Sequence, residues 1–202
     1  MRQQGKTWIG ADPGGSGKFG IALITDEVAL AECRDSADDA IRFLKEHLGG
    51  RDVAGVGVDA PLWWSSGQAG ARQADEWLRA TCGFSGGEVQ SMNSLRGACL
   101  VQGMMFVERI RQLYPGVAVT ESHPKAVLKF LKLANNWKKT CAHFSITTEC
   151  RDPDGSDAIV AALHAREAFE GRWTHDLSRD RHDCEQDPSS YWLAPVHYFW
   201  PD

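Results

Sequence analysis

The chain has 202 residues, is 43% hydrophobic and carries a formal net charge of −5. That composition supplies a sizeable core and excludes a general nucleic-acid coat protein. No apolar run reaches the roughly 18 residues of a spanning helix, and the opening MRQQGKTW lacks the apolar stretch of a secretory leader. Six cysteines (33, 82, 99, 141, 150 and 184) are scattered without a CxxC, a pattern that fits reduced thiols in a cytoplasmic protein. Neither Cys141, His143 and Cys150 nor His175, His182 and Cys184 has a recognised zinc spacing.

Residues 8–24 read WIGADPGGSGKFGIALI. Two apolar runs joined by glycine-rich turn residues predict a β-hairpin. The segment GGSGK is not a phosphate loop: Asp12 stands where that motif needs its first Gly, and Phe19 where it needs Ser or Thr. Asp12 ends the first strand. A carboxylate there either caps the turn or, being costly to bury alone, meets a cation. A third strand is expected at residues 28–33 and a helix at 36–48, with Ser36 as its N-cap and Gly49 and Gly50 ending it. Residues 53–59, VAGVGVD, predict a strand buried on both faces and parallel to an earlier one. It too ends in a carboxylate, Asp59.

Residues 63–113 are expected to form a helical insertion, with helices at 73–80 and 95–113. Trp63, Trp64 and Trp77 are interleaved there with Arg72, Arg79 and Arg96, an arrangement that either stacks bases and holds phosphates or places the tryptophans in the core. Residues 61–140 carry ten Lys/Arg against five Asp/Glu, a basic middle in an acidic protein that suits an anionic partner or a solvated face. A short strand at 117–121 ends in Glu121, before Ser122, His123 and Pro124. Helices at 126–133 and 141–148 follow, separated by a polar turn with Asn135 and Asn136. The last long helix is expected at 151–169. Asp154 and Asp157 stand near its start, three residues apart, where Asp154 or Ser156 would serve as its cap. Behind them Ala158, Ala162, Ala165 and Phe169 form a stripe that lets it lie close on a sheet. The tail, residues 171–202, turns strongly aromatic after 190; Trp192, Tyr198 and Trp200 are expected to be buried.

Asp12, Asp59, Glu121 and Asp157 thus come from three strand ends and one helix start. Converging carboxylates raise one another's pKa unless cations neutralise them, and hard oxygen ligands suit Mg²⁺ or Mn²⁺. Two such ions about 4 Å apart would clamp a phosphodiester. The order of elements resembles the ribonuclease H-like superfamily. More narrowly it resembles the predicted ribonuclease H-like nucleases known as domain of unknown function 429. The matching residues are Gly10-Ala-Asp12, Val58-Asp59-Ala-Pro-Leu62, Arg72 with Asp75 and Arg79, Glu121-Ser-His-Pro124 and Asp154-Gly-Ser-Asp157-Ala158.

The resemblance implies an α/β fold with a mixed five-stranded sheet of order 3-2-1-4-5 and helices on both faces. It also implies metal-dependent cleavage of nucleic acid. On that reading Asp12, Asp59, Glu121 and Asp157 are catalytic, and Asp12, Asp59, Asp154 and Asp157 hold Mg²⁺ or Mn²⁺. Arg72, Arg79, Lys18 and His123 bind substrate. Two other classes remain open: a phosphotransferase of the sugar kinase and actin type, which would need a homodimer to complete its cleft, and a non-catalytic nucleic-acid-binding module.

Overall fold

A computed structural model describes residues 5–65, 70–134, 136–150, 152–179 and 187–202; Asn135, His182 and Cys184 lie outside them. Three strands, β1 (Thr7–Asp12), β2 (Phe19–Thr25) and β3 (Val28–Arg34), form an antiparallel meander. Helix α1 (Ala37–Leu48) follows, capped as its sequence dictates: the Ser36 side chain accepts from Asp39 N, and Gly49 ends the helix with φ 54°. Strand β4 (Val53–Val58) then pairs parallel to β1.

Helices α2 (Gln73–Cys82) and α3 (Gly97–Leu113) make up the insertion, and β5 (Val119–Glu121) pairs parallel to β4. Short helices α4 (Pro124–Phe130) and α5 (Trp137–His143) precede β6 (Thr147–Thr148) and the long α6 (Pro153–Phe169). Two short strands, β7 (His175–Asp176) and β8 (Phe199–Trp200), pair within the tail. Among the described residues no helix is long and apolar enough to cross a membrane.

The sheet is mixed and six-stranded, in the order β5-β4-β1-β2-β3-β6. Five strands follow the expected 3-2-1-4-5 order. The sixth corrects the strand count, because β6 adds a parallel edge beside β3. Its residues, Thr147 and Thr148, pair with Val28 and Ala29, so the helix expected at 141–148 stops at His143. Two adjacent threonines favour extended backbone over a last helical turn.

Helix α6 lies against β1, β2 and β4 so closely that three strand positions, Gly10, Gly20 and Gly57, admit only glycine. A Cβ on Gly10 would stand 1.9 Å from the carbonyl oxygen of Ala158, and one on Gly57 would stand 1.9 Å from that of Ala161. On the opposite face α3 packs over the sheet, with Phe106 against Phe19 at 5.6 Å between ring centroids. Residues two apart on a strand share a face. Gly10 and Asp12 therefore both face α6, as do Gly57 and Asp59. The G-x-D pattern on each strand is thus one device: the glycine lets the helix in, and the aspartate two residues on meets the helix's first turns.

The tail packs back as its aromatic density requires, with one exception. Tyr198 and Trp200 are fully buried, but Trp192 is 85% exposed between the buried Tyr191 and Leu193. The tail also covers the β5 edge: His197 N donates to Val119 O at 3.0 Å, and Glu121 N donates to His197 O at 2.7 Å.

Candidate functional site

The parallel register puts the C-terminal ends of β1, β4 and β5 at one end of the sheet. Ala11 pairs with Val58, Asp59 N donates to Ala11 O at 2.8 Å, and Val58 pairs with Glu121. Carboxylate oxygens of Asp12, Asp59 and Asp157 lie within 4.8 Å of one another, drawn from β1, the end of β4 and α6. The helix start that delivers Asp157 is capped by Asp152, whose side chain accepts from Asp154 N and Gly155 N. Asp152 thus takes the capping role expected of Asp154 or Ser156.

The electrostatics of this trio are unfavourable as it stands. Burial, then Asp157 and Asp154, push Asp12 up to about 7. Burial and the charges of Asp12 and Asp157 push Asp59 well above the usual carboxylate range, and burial raises Asp157 as well. One cation approaches them: Lys125 Nζ, at the start of α4, stands 3.4 Å from Asp157 Oδ2 with its side chain 81% exposed. Sequence reasoning missed Lys125. The available signal was its position four residues after Glu121, on the first turn of a helix that starts at the strand end.

Five expected site residues, Glu121, Arg72, Asp154, Lys18 and Arg79, fall elsewhere. Glu121 pairs with Val58, not with a residue at the level of Asp59. That difference of one residue turns its side chain to the other face of the sheet. There Arg72 donates to both of its carboxylate oxygens, Nη1 at 2.7 Å and Nη2 at 2.6 Å, and Leu62 N donates to Oε2 at 3.0 Å. Arg72 also donates to both oxygens of Asp75, at 3.1 and 2.8 Å, and packs 4.1 Å from the Trp63 ring. Trp63 in turn stacks on Tyr191 of the tail. Arg72 is therefore a buried clamp joining sheet, insertion and tail, and is not offered to a substrate. Burial pushes Asp75 up but Arg72 outweighs it and holds Asp75 low; burial raises Glu121 against the same guanidinium.

Asp154 stands apart from the trio as well. It belongs with Cys33 and Asp152 and with Lys18, whose Nζ is 3.2 Å from Asp154 Oδ2. The same group explains the Cys33 thiol, which donates to Asp152 at 2.9 Å and is pushed up to about 12 by burial and that bond. Lys18 is exposed at the hairpin, and Arg79 Nε donates to Val89 O at 2.9 Å, holding the loop between α2 and α3.

A cavity of about 400 Å³ opens onto Asp12 and Asp59 and runs between the insertion and α4. His123 lines it. Its Nε2 is 2.9 Å from Glu88 O, while Nδ1 is buried with no hydrogen-bond partner. Burial pushes its imidazole below the usual range. Much of the basic charge of residues 61–140 is spent internally. Arg72 is enclosed, Lys129 pairs with Glu88, Arg109 with Asp38, and Arg111 donates to the tail carbonyls of Leu193 and Pro195.

No family model, curated protein or solved structure matches this chain.

Proposed function

We propose that the chain is a divalent-cation-dependent nuclease that hydrolyses phosphodiester bonds. One observation carries the reading: Asp12, Asp59 and Asp157, from three separate elements, bring carboxylate oxygens within 4.8 Å of one another with, among the described residues, only an exposed lysine to offset them. A fold does not gather half-buried like charges for stability. All the donors are hard oxygens, which fits Mg²⁺ or Mn²⁺ better than zinc or copper. The resemblance of the element order and of Gly10-Ala-Asp12 and Val58-Asp59 to ribonuclease H-like nucleases supports the same chemistry. Asp12, Asp59 and Asp157 would hold the cation. When bound, it would supply a polarised phosphate and a water of lowered pKa. Asp154 and Glu121 are not needed as ligands on this reading, since each already has another partner.

The test is cleavage of a labelled oligonucleotide in Mn²⁺, together with calorimetric titration of Mn²⁺ alone. Asp12→Asn, Asp59→Asn and Asp157→Asn should each lower cleavage by about a hundredfold or more and weaken Mn²⁺ binding. Retention of full cleavage and full Mn²⁺ affinity in Asp12→Asn would sink the reading.

A further inference from the structure

Residues 122–148 contain five lysines and no aspartate or glutamate, in a chain of net charge −5. All five lysines, at 125, 129, 132, 138 and 139, are exposed. Lys125 and Lys129 stand one turn apart on α4 and both line the cavity that opens onto Asp12 and Asp59. Lys132 follows at the helix end, where its N donates to Lys129 O at 3.1 Å, and Lys139 of α5 donates from Nζ to Lys132 O at 3.4 Å. The result is a continuous row of lysines that begins 3.4 Å from Asp157 Oδ2 and leads away from the three aspartates. Two features set this row apart from an ordinary solvated face. It is short of acids: Lys129 pairs with Glu88 and Lys125 with Asp157, while Lys132, Lys138 and Lys139 have no ion pair among the described residues. It also carries a backbone cost. Lys132 has φ 57°, a conformation that glycine adopts without strain and lysine does not. Helices α1 and α2 end in the same left-handed turn with Gly49 and Gly83.

We propose that this row holds the phosphate backbone of a nucleic-acid strand and leads it to the three aspartates. The inference rests on the nuclease reading for the strand's destination, and it gives that reading a binding surface. The surface lies on α4 and α5 and not on the arginines of the insertion, where Arg72 is enclosed and Arg79 holds a loop. A phosphate backbone repeats its charge along a line, as the lysines do. Each lysine that meets a phosphate releases condensed counterions, so the binding is independent of sequence and falls with salt. Glu88 competes with the strand for Lys129, because it already holds that ammonium.

The experiment measures binding apart from turnover. Fluorescence anisotropy of a labelled single-stranded oligonucleotide is followed on the full chain carrying Asp12→Asn, in chelator, across a salt series. Lys132→Gly with Lys139→Gln should weaken binding by about fivefold or more at low salt. It should also lower the slope of log affinity against log salt by about 1.4, the share of two phosphate contacts on a single strand. Lys6→Gln with Lys45→Gln removes the same charge from exposed lysines elsewhere and should change little. Glu88→Gln frees Lys129 and should tighten binding by a few-fold. Glycine suits the backbone at residue 132, so the melting curve of the first double variant should stay in place. With the aspartates intact and Mn²⁺ present, that variant should raise KM for cleavage with kcat little changed. Equal losses in both lysine pairs, or no loss in either, overturn this inference, and the nuclease reading then stands on cleavage alone. Tighter binding of polyglutamate, or of phosphatidylserine–phosphatidylcholine vesicles, than of the oligonucleotide overturns it as well. The expected binding pattern without cleavage by any of the proteins keeps the surface and takes down the nuclease reading.

Discussion

Two sets of carboxylates stand at one cavity, one buried and one half-buried, and the fold treats them in opposite ways. Asp75 and Glu121 share a guanidinium: Arg72 reaches all four of their oxygens, with Leu62 N and Arg72 N adding further donors. Among the described residues, Asp12, Asp59 and Asp157 share nothing comparable, only the exposed Lys125 beside Asp157. The first set shows that this sequence can satisfy buried acids with a buried base when their role is to hold elements together. The second set, close by, is left short of positive charge. That contrast separates a structural cluster from one that awaits a cation, although both are acidic and both combine strand-end with helical carboxylates.

The sharpest way to break the comparison is to make the satisfied set resemble the unsatisfied one. Arg72→Met removes the shared base and leaves two buried carboxylates facing each other. Losing one partner of a buried ion pair costs about 3–5 kcal/mol, so urea unfolding should show a loss of that size, unrelieved by Mn²⁺. A loss under about 1 kcal/mol would mean the clamp is peripheral.

Metal should have the reverse effect on the other set. A ligand that binds only the folded state stabilises it by roughly 2.7 kcal/mol at a hundred times its dissociation constant. The melting temperature of the wild-type chain should therefore climb with Mn²⁺, and that of Asp12→Asn should hardly move. In chelator at pH 7 the order inverts. Asp12→Asn removes a charge whose native pKa is pushed up to about 7, so the variant should be more stable than wild type by of order 2 kcal/mol. An aspartate that merely caps the turn would instead destabilise when replaced.

The pH profile follows with a definite sign. Burial and the neighbouring carboxylates push Asp12 up to about 7 in the folded chain, against the ordinary aspartate value of 3.8 when unfolded. Its folded pKa is the higher, so its stabilising share is complete below about pH 4 and is lost as pH rises to about 7. Metal-free wild type should lose stability across that window relative to Asp12→Asn. Parallel melting curves for the two proteins between pH 4 and 7 would contradict it.

Much of this arrangement is legible in the sequence, and what is not has a physical reason. Strand ends at Asp12 and Asp59 follow from apolar runs stopped by a charge, and their convergence follows from the parallel pairing of a strand after a helix. Glu121 carries the same signature at the end of β5, yet it faces the other way. Register between strands is decided by long-range packing, and a one-residue difference changes the face. Asp154 and Asp157 are indistinguishable by spacing. What divides them is which neighbour the hairpin offers: Lys18 and Cys33 lie beside Asp154, and Asp12 lies beside Asp157. Arg72, with aromatics and acids around it, resembles a phosphate binder until its three-dimensional partners are known. Gly10 and Gly57 serve as clearance for α6, a role visible only once the helix is packed on the sheet.

Lys125 gives the smallest and most discriminating test. Its side chain is largely exposed, so the contact with Asp157 is worth at most about 1 kcal/mol. Lys125→Met should accordingly lower metal-free stability only slightly. Its effect on the metal should have the opposite sign. The ammonium sits where it repels an incoming cation, and the charges of Asp157, Asp59 and Asp12 all raise its own pKa, so Lys125 and a divalent ion compete for the same oxygens. Removing it should tighten Mn²⁺ binding by a few-fold in calorimetry, with the gain shrinking as ionic strength rises. The variant would then be marginally less stable in chelator and more strongly stabilised in limiting Mn²⁺. A lysine that is only part of a solvated surface would change neither the affinity nor its salt dependence. That outcome would mean the three aspartates do not form the cation site.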